Sequence, residues 1–133
     1  MALMDTDLLH ASMPLCRTLG MRVVAAEKDC VQLELDWSPE LCTTAGLLHG
    51  GAVMALADSA GGACAFLNLP EGAGTSTIES KTNFLGAIKE GTVTASSRPL
   101  HVGSTTIVVE TEVRRADGRL VGKVTQTQAV LKR

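Results

Sequence analysis

Residues 46–67 read GLLHGGAVMALADSAGGACAFL, and the eighteen residues from Gly50 to Leu67 contain one charged side chain, Asp58. Val53, Leu56, Ala60, Ala63, Cys64 and Leu67 recur at helical spacing. Met54, Asp58, Gly61, Gly62 and Ala65 share the opposite face, which is small and apolar apart from the acid. A helix apolar nearly all round is expected to be enclosed, here by a sheet that wraps it. A membrane span is the competing reading of so apolar a stretch. Six alanines and four glycines make the stretch weakly hydrophobic, and Asp58 at its centre adds a further cost. A buried helix of a soluble protein fits better.

Working outward, residues Thr6 to Leu19 read as helical, with Thr6 as the N-cap and a break near Pro14. Arg22 to Trp37 reads as a strand pair. In its second half Val31, Leu33, Leu35 and Trp37 alternate with Gln32, Glu34 and Asp36. Ser38-Pro39 closes it, and a loop runs to about Leu48. After the long helix, Leu69-Pro70 and the glycines at 72 and 74 stop the helical pattern. Strand-like segments follow near Thr75–Leu85, Gly91–His101, Ser104–Arg115 and Leu120–Leu131. Gly86, Glu90-Gly91, Val102-Gly103 and Ala116-Asp117-Gly118 separate them, the last being a good hairpin signal. Consecutive strands joined by short turns run antiparallel, so the fold class is α+β, one antiparallel sheet around one long central helix.

At 133 residues the chain is expected to be a single domain spanning 1–133. One Trp, two Phe and no Tyr leave the core to Val, Leu, Ile, Ala and Met. A formal net charge of −2, with both signs interspersed, argues against nucleic acid or an anionic membrane as partner. Cys16, Cys30, Cys42 and Cys64 form no C-x-x-C, and with His10, His49 and His101 they make no zinc spacing. Free thiols in a reducing compartment are expected. MALMDTDLLH carries two acids where a signal peptide needs bases, so the expected location is cytoplasmic.

His49-Gly50-Gly51 opens the long helix. The first N–H groups of a helix lack intrahelical partners, and with the helix dipole they suit an oxygen that becomes negative during reaction. Asp58, two turns on, has the chemistry of a nucleophile or a general base. Nine positions separate His49 from Asp58, roughly 180° round the helix and about 13 Å along it. One chain does not easily bring both to a single carbonyl carbon, whereas a symmetric dimer does if Gly50 of one subunit faces Asp58 of the other. Blander readings stand beside this one. Glycine pairs also serve close packing, a lone helical Asp also sits in solvent, and His49 also serves as a loop hydrogen-bonder.

GLLHGGAVMALADSAG resembles the signature of the hotdog-fold acyl-CoA thioesterases, in the subfamily of the phenylacetate-pathway, hydroxybenzoyl-CoA and dihydroxynaphthoyl-CoA enzymes. The resemblance continues through STIESKTNFLGAIKEG, SRPLHVGSTT and VETEVRRADGRLVGKVTQTQAVL, covering about Leu15 to Leu131. It implies a hotdog fold and hydrolysis of an acyl-CoA or aryl-CoA thioester, with coenzyme A entering as part of the substrate and no metal or redox cofactor. Asp58 falls on the catalytic carboxylate, and Gly50 on the residue whose backbone N–H polarises the thioester carbonyl. His49 falls on the histidine that holds that loop. Sites shared across a dimer interface are implied, in a homodimer or a homotetramer built as a dimer of dimers. Thr77 falls where relatives place a substrate-lining residue of the other subunit. Phe84, Leu85, Gly86 and Ala87 fall on regions that contact coenzyme A, as do His101, Val102, Gly103, Ser104, Thr105 and Thr106.

One position departs from the pattern. Six residues before the histidine, relatives often carry Asn or Gln, whose amide also holds the thioester oxygen; here it is Thr43, whose hydroxyl donates one hydrogen bond but reaches less far. Either Thr43 serves with adjusted geometry or Gly50 acts alone. A non-catalytic acyl-CoA-binding protein of the same fold is the alternative function. The Gly-Asp/Asn-Pro-x-His loop of related hydratases is absent from the sequence. Met54, Ser59, Gly62, Phe66 and Thr77 are candidates to border the acyl group. Arg98, Arg114, Arg115 and Lys123 are candidates to meet coenzyme A phosphates.

Overall fold

A computed structural model describes residues 2–132. The chain forms α1 (Thr6–Ser12), α2 (Pro14–Leu19), β1 (Arg22–Glu27), β2 (Cys30–Asp36), α3 (Gly50–Leu67), β3 (Gly74–Phe84), β4 (Thr92–Val102), β5 (Thr106–Arg114) and β6 (Leu120–Leu131). The strands make one antiparallel sheet in the order β1-β2-β4-β5-β6-β3, and α3 packs along it. This is the hotdog architecture expected from the sequence.

The alternation of the strands explains the packing. Val31, Leu33 and Leu35 of β2, Val93 and Ala95 of β4, Ile107, Val109 and Val113 of β5, and Val121 and Val124 of β6 are buried. They share a core with Val53, Leu56, Ala57, Ala60, Ala63 and Cys64 of α3. α3 is long and apolar enough to cross a membrane, yet ten of its 18 residues are buried within this chain. Burial pushes the Cys64 thiol up to about 11, and all four cysteines are free. Outside the core, Arg22 of β1 pairs with Glu34 and Asp36 of β2, and its guanidinium holds the Asp36 carboxyl below the usual carboxylate range.

Two sequence expectations need correction. The N-cap of α1 is Asp5, whose carboxylate accepts from the Leu8 N–H at 2.8 Å. Thr6 is the first helical residue, and its hydroxyl accepts from the Val23 N–H instead, tying α1 to β1. β3 and β4, consecutive in sequence, are not neighbours: β3 pairs with β6 at the far edge, and residues 85–91 carry the chain across the end of the sheet. A short connection fixes the relative direction of two strands but not their adjacency, and both sides of β4 are taken by β2 and β5. The loop before α3 runs where the sequence reading places it. It holds two 3-10 turns, Pro39–Leu41 and Thr44–Gly46, and a bridge between Cys42 and Leu48. The hairpin at Ala116–Gly118 matches its signal, with Gly118 at φ 88° and its N–H bonded to the Arg115 carbonyl.

Candidate active site

The N-terminus of α3 is built by the HGG motif one residue at a time. His49 is the N-cap, and its ring Nδ1 accepts from the Gly51 N–H at 2.7 Å. That bond places the proton of a neutral ring on Nε2. A side chain at 51 would crowd the ring, since a Cβ there would stand 2.9 Å from Nδ1. The His49 carbonyl accepts from both Ala52 and Val53. Of the first four helical N–H groups, only that of Gly50 has no acceptor among the described residues. Capping losses run to about 0.5–2 kcal/mol. His49→Ala is therefore expected to lower stability by about that much, and His49→Asn, which keeps a capping acceptor, by less. Urea unfolding of the two variants checks this ranking.

Gly50 lines a cavity of about 380 Å³ with Thr43, Leu47, Leu48, Val53, Phe84 and Gly86, among others. The Phe84 ring lies over Gly50 so closely that a Cβ there would be 3.1 Å from it. The walls are braced from both sides: Leu48 N–H bonds the Ile88 carbonyl, Leu85 N–H bonds the Val121 carbonyl, and Trp37 Nε1 donates to the Gly46 carbonyl. A left-handed Ala45, φ 62°, tightens the turn that presents Thr43. Thus Thr43, Gly50, Phe84, Gly86 and Ala87 come together in one cavity.

Asp58 lies elsewhere on α3, on the exposed side. Its Oδ1 accepts two hydrogen bonds, from Gln126 Nε2 at 2.9 Å and from Thr77 Oγ1 at 3.1 Å. Thr77 in turn accepts from Gln128 Nε2 at 2.7 Å, so its single hydroxyl hydrogen is directed at the carboxylate. Thr77 therefore serves the Asp58 of its own chain. Gln126 and Gln128 escaped the sequence reading. The signal was present in VTQTQAV, where both glutamines fall in phase with Val124 on the inward face of β6. Each is 1% exposed. Beneath the helix, Cys16 donates to Ser59 at 3.4 Å. Burial pushes the Cys16 thiol up; the Ser59 hydrogen bond opposes this and the Asp58 charge adds to it.

Not every expected site residue joins these groups. His101 and Val102 end β4, and Gly103–Thr106 turn into β5 at the sheet end opposite Phe84. Along β6, Phe84 pairs with Gly122 and Thr106 with Ala129, a separation of roughly 23 Å. One chain does not bring these two candidate segments together. Arg114 is engaged with Glu112, Arg115 with Asp117 and the Ala87 carbonyl, and Lys123 with Glu110 and Glu112.

Comparison with known proteins places this fold and motif in a family. The family described as the Thioesterase superfamily matches residues 45–122. A candidate esterase of Saccharolobus solfataricus is 35% identical over 114 residues, covering 86% of this chain and 81% of that protein. A mutant thioesterase from Pseudomonas aeruginosa superposes with a TM-score of 0.90 at 29% identity, covering 97% of this chain and 95% of the other. A thioesterase family protein from Silicibacter pomeroyi gives 0.86 at 31% identity and 93% of each chain. The chain belongs to the thioesterase superfamily.

Proposed function

We propose that the protein hydrolyses an acyl-CoA or aryl-CoA thioester to the free acid and coenzyme A. On this reading the subfamily is the one its signature resembles. The Gly50 N–H donates a hydrogen bond to the thioester oxygen as negative charge develops on it, and Asp58 of a second subunit attacks the carbonyl or activates a water. The observation that carries the reading is the Gly50 N–H, left without an acceptor at the wall of a cavity and at the positive end of an 18-residue helix. Thr43, on the same wall, is the second donor, and His49 holds the helix start. Phe84–Ala87 of one subunit and His101–Thr106 of the other contact coenzyme A. No metal or redox cofactor takes part.

The assembly is a homodimer, alone or paired into a homotetramer, with β3 at the subunit boundary. Support comes from β3 being an edge strand whose outer hydrogen-bonding groups await a partner. Exposed Met54 and Phe66 on α3 and Ile78 on β3 supply apolar surface near Asp58. Cytoplasmic location and the lack of nucleic-acid or membrane partners belong to the same reading.

The test exploits the position of Gly50 as the first helical residue, where proline is well accepted. His49, at φ −62° and ψ 134°, already has the conformation that precedes proline. Gly50→Ala and Gly50→Pro both place a Cβ against Phe84, but only proline deletes the N–H. Free-thiol release from acetyl-, hexanoyl-, palmitoyl- and benzoyl-CoA is compared for the two. Gly50→Pro is expected to be slower than Gly50→Ala by roughly 10²–10³ in kcat. Equal rates would remove Gly50 from the mechanism.

A further inference from the structure

Gln126 is held in a position that its own hydrogen bonding does not explain. Its Nε2 donates to Asp58, but its Oε1 is buried with no hydrogen-bond partner among the described residues. Leaving a buried carbonyl oxygen unpaired is costly, and such groups in native proteins call for an explanation. Reversing the amide would not help, because it would set one oxygen acceptor against another.

The helix has made room for this arrangement. Gly61 lies one turn beyond Asp58, and a Cβ at 61 would overlap Gln126 Oε1. Glycine in a helix interior is itself unfavourable relative to alanine. Two separate concessions, an orphaned oxygen and a mid-helix glycine, thus serve one contact. That contact and the Thr77 hydroxyl both fall on Oδ1, and neither touches Oδ2. Among the described residues no cationic side chain pairs with Asp58, so these two neutral donors fix its rotamer.

We propose that Gln126, admitted by Gly61, is a positioning residue: with Thr77 it ties up Asp58 Oδ1 so that Oδ2 is the oxygen presented to the thioester or to the attacking water. The inference rests on the reading of Asp58 as the reacting carboxylate. Gln126 touches no substrate. It sets the direction of the free lone pairs, and a displacement of about 1 Å at such a group costs roughly 10²-fold in rate.

The test uses the full chain and whichever of the four acyl-CoAs above it hydrolyses fastest. Fold, oligomer size and urea stability are checked for each variant. Gln126→Ala is expected to lower kcat by roughly 10–10²-fold with KM nearly constant. Gly61→Ala, which keeps Gln126 but evicts its amide, is expected to do the same, while adding it to Gln126→Ala costs nothing further. Gln126→Glu sets a like charge beside Asp58, and the acid limb of its kcat/KM profile is expected to move to higher pH. Folded Gln126→Ala with wild-type kcat, or an unmoved limb in Gln126→Glu, overturns the inference. If Gln126→Ala does not fold, Gly61→Ala and the pH profile decide. Asp58→Asn run in parallel separates the two levels. Activity surviving there means the acid is wrongly assigned, whereas activity lost there but kept in the Gln126 variants means only the positioning role fails.

Discussion

Asp58→Asn is expected to lower kcat for acyl-CoA hydrolysis by roughly 10²–10⁴-fold, the usual contribution of a general base. The substitution is nearly isosteric. The asparagine Oδ1 still accepts from Gln126 and Thr77, so the local hydrogen bonds survive. What changes is the second oxygen, which becomes an NH₂ group that neither attacks a carbonyl nor takes a proton. A large kinetic loss with little change in stability therefore isolates the chemistry. Thiol release from the acyl-CoA panel gives the rate, and gel filtration with unfolding gives the control. Equal turnover in both proteins would point to another acid. Tight acyl-CoA binding without turnover in either would favour a non-catalytic binder.

Leu56→Ala is expected to cost about 2–5 kcal/mol of stability, as buried leucine truncations do. The helix it belongs to has little stability of its own. Gly61 and Gly62 in its interior each forfeit about 1 kcal/mol relative to alanine. Packing must therefore hold α3 in place, and most of its inward side chains are small: Ala57, Ala60, Ala63 and Cys64. Leu56 is fully buried and is the largest of the helix's buried side chains. Urea unfolding is expected to show a lower midpoint with an unchanged slope. A loss below about 1 kcal/mol would mean that the core relaxes around the truncation.

Much of this was readable in the chain. The helix from Gly50 to Leu67 followed from its apolar periodicity, the β5–β6 hairpin from Asp117-Gly118, and the separation of Gly50 from Asp58 from helix geometry alone. Local chemistry governs all three. The seat of β3 beside β6 was not readable, because adjacency in a sheet is settled by nonlocal pairing. The partners of Asp58 were missed for the same reason: Gln126 lies 68 residues from it in sequence. Asp5 was missed on a local point, since a carboxylate one residue ahead of Thr6 reaches the amide that a helix start leaves open.

Strand β3 carries an irregularity whose consequence reaches both halves of the site. Its register with β6 shifts between Thr77 and Glu79, leaving Ile78 as an extra residue. Upstream, Thr75 and Thr77 turn toward Gln128 and Asp58; downstream, Phe84 turns toward Gly50. Odd-numbered residues serve the carboxylate and even-numbered ones serve the cavity, so the strand is written in two reading frames with Ile78 as the frameshift. A strand of strict alternation would have to turn one of those sets away from the helix. One supernumerary residue thus lets a single strand tend both the start of α3 and its middle.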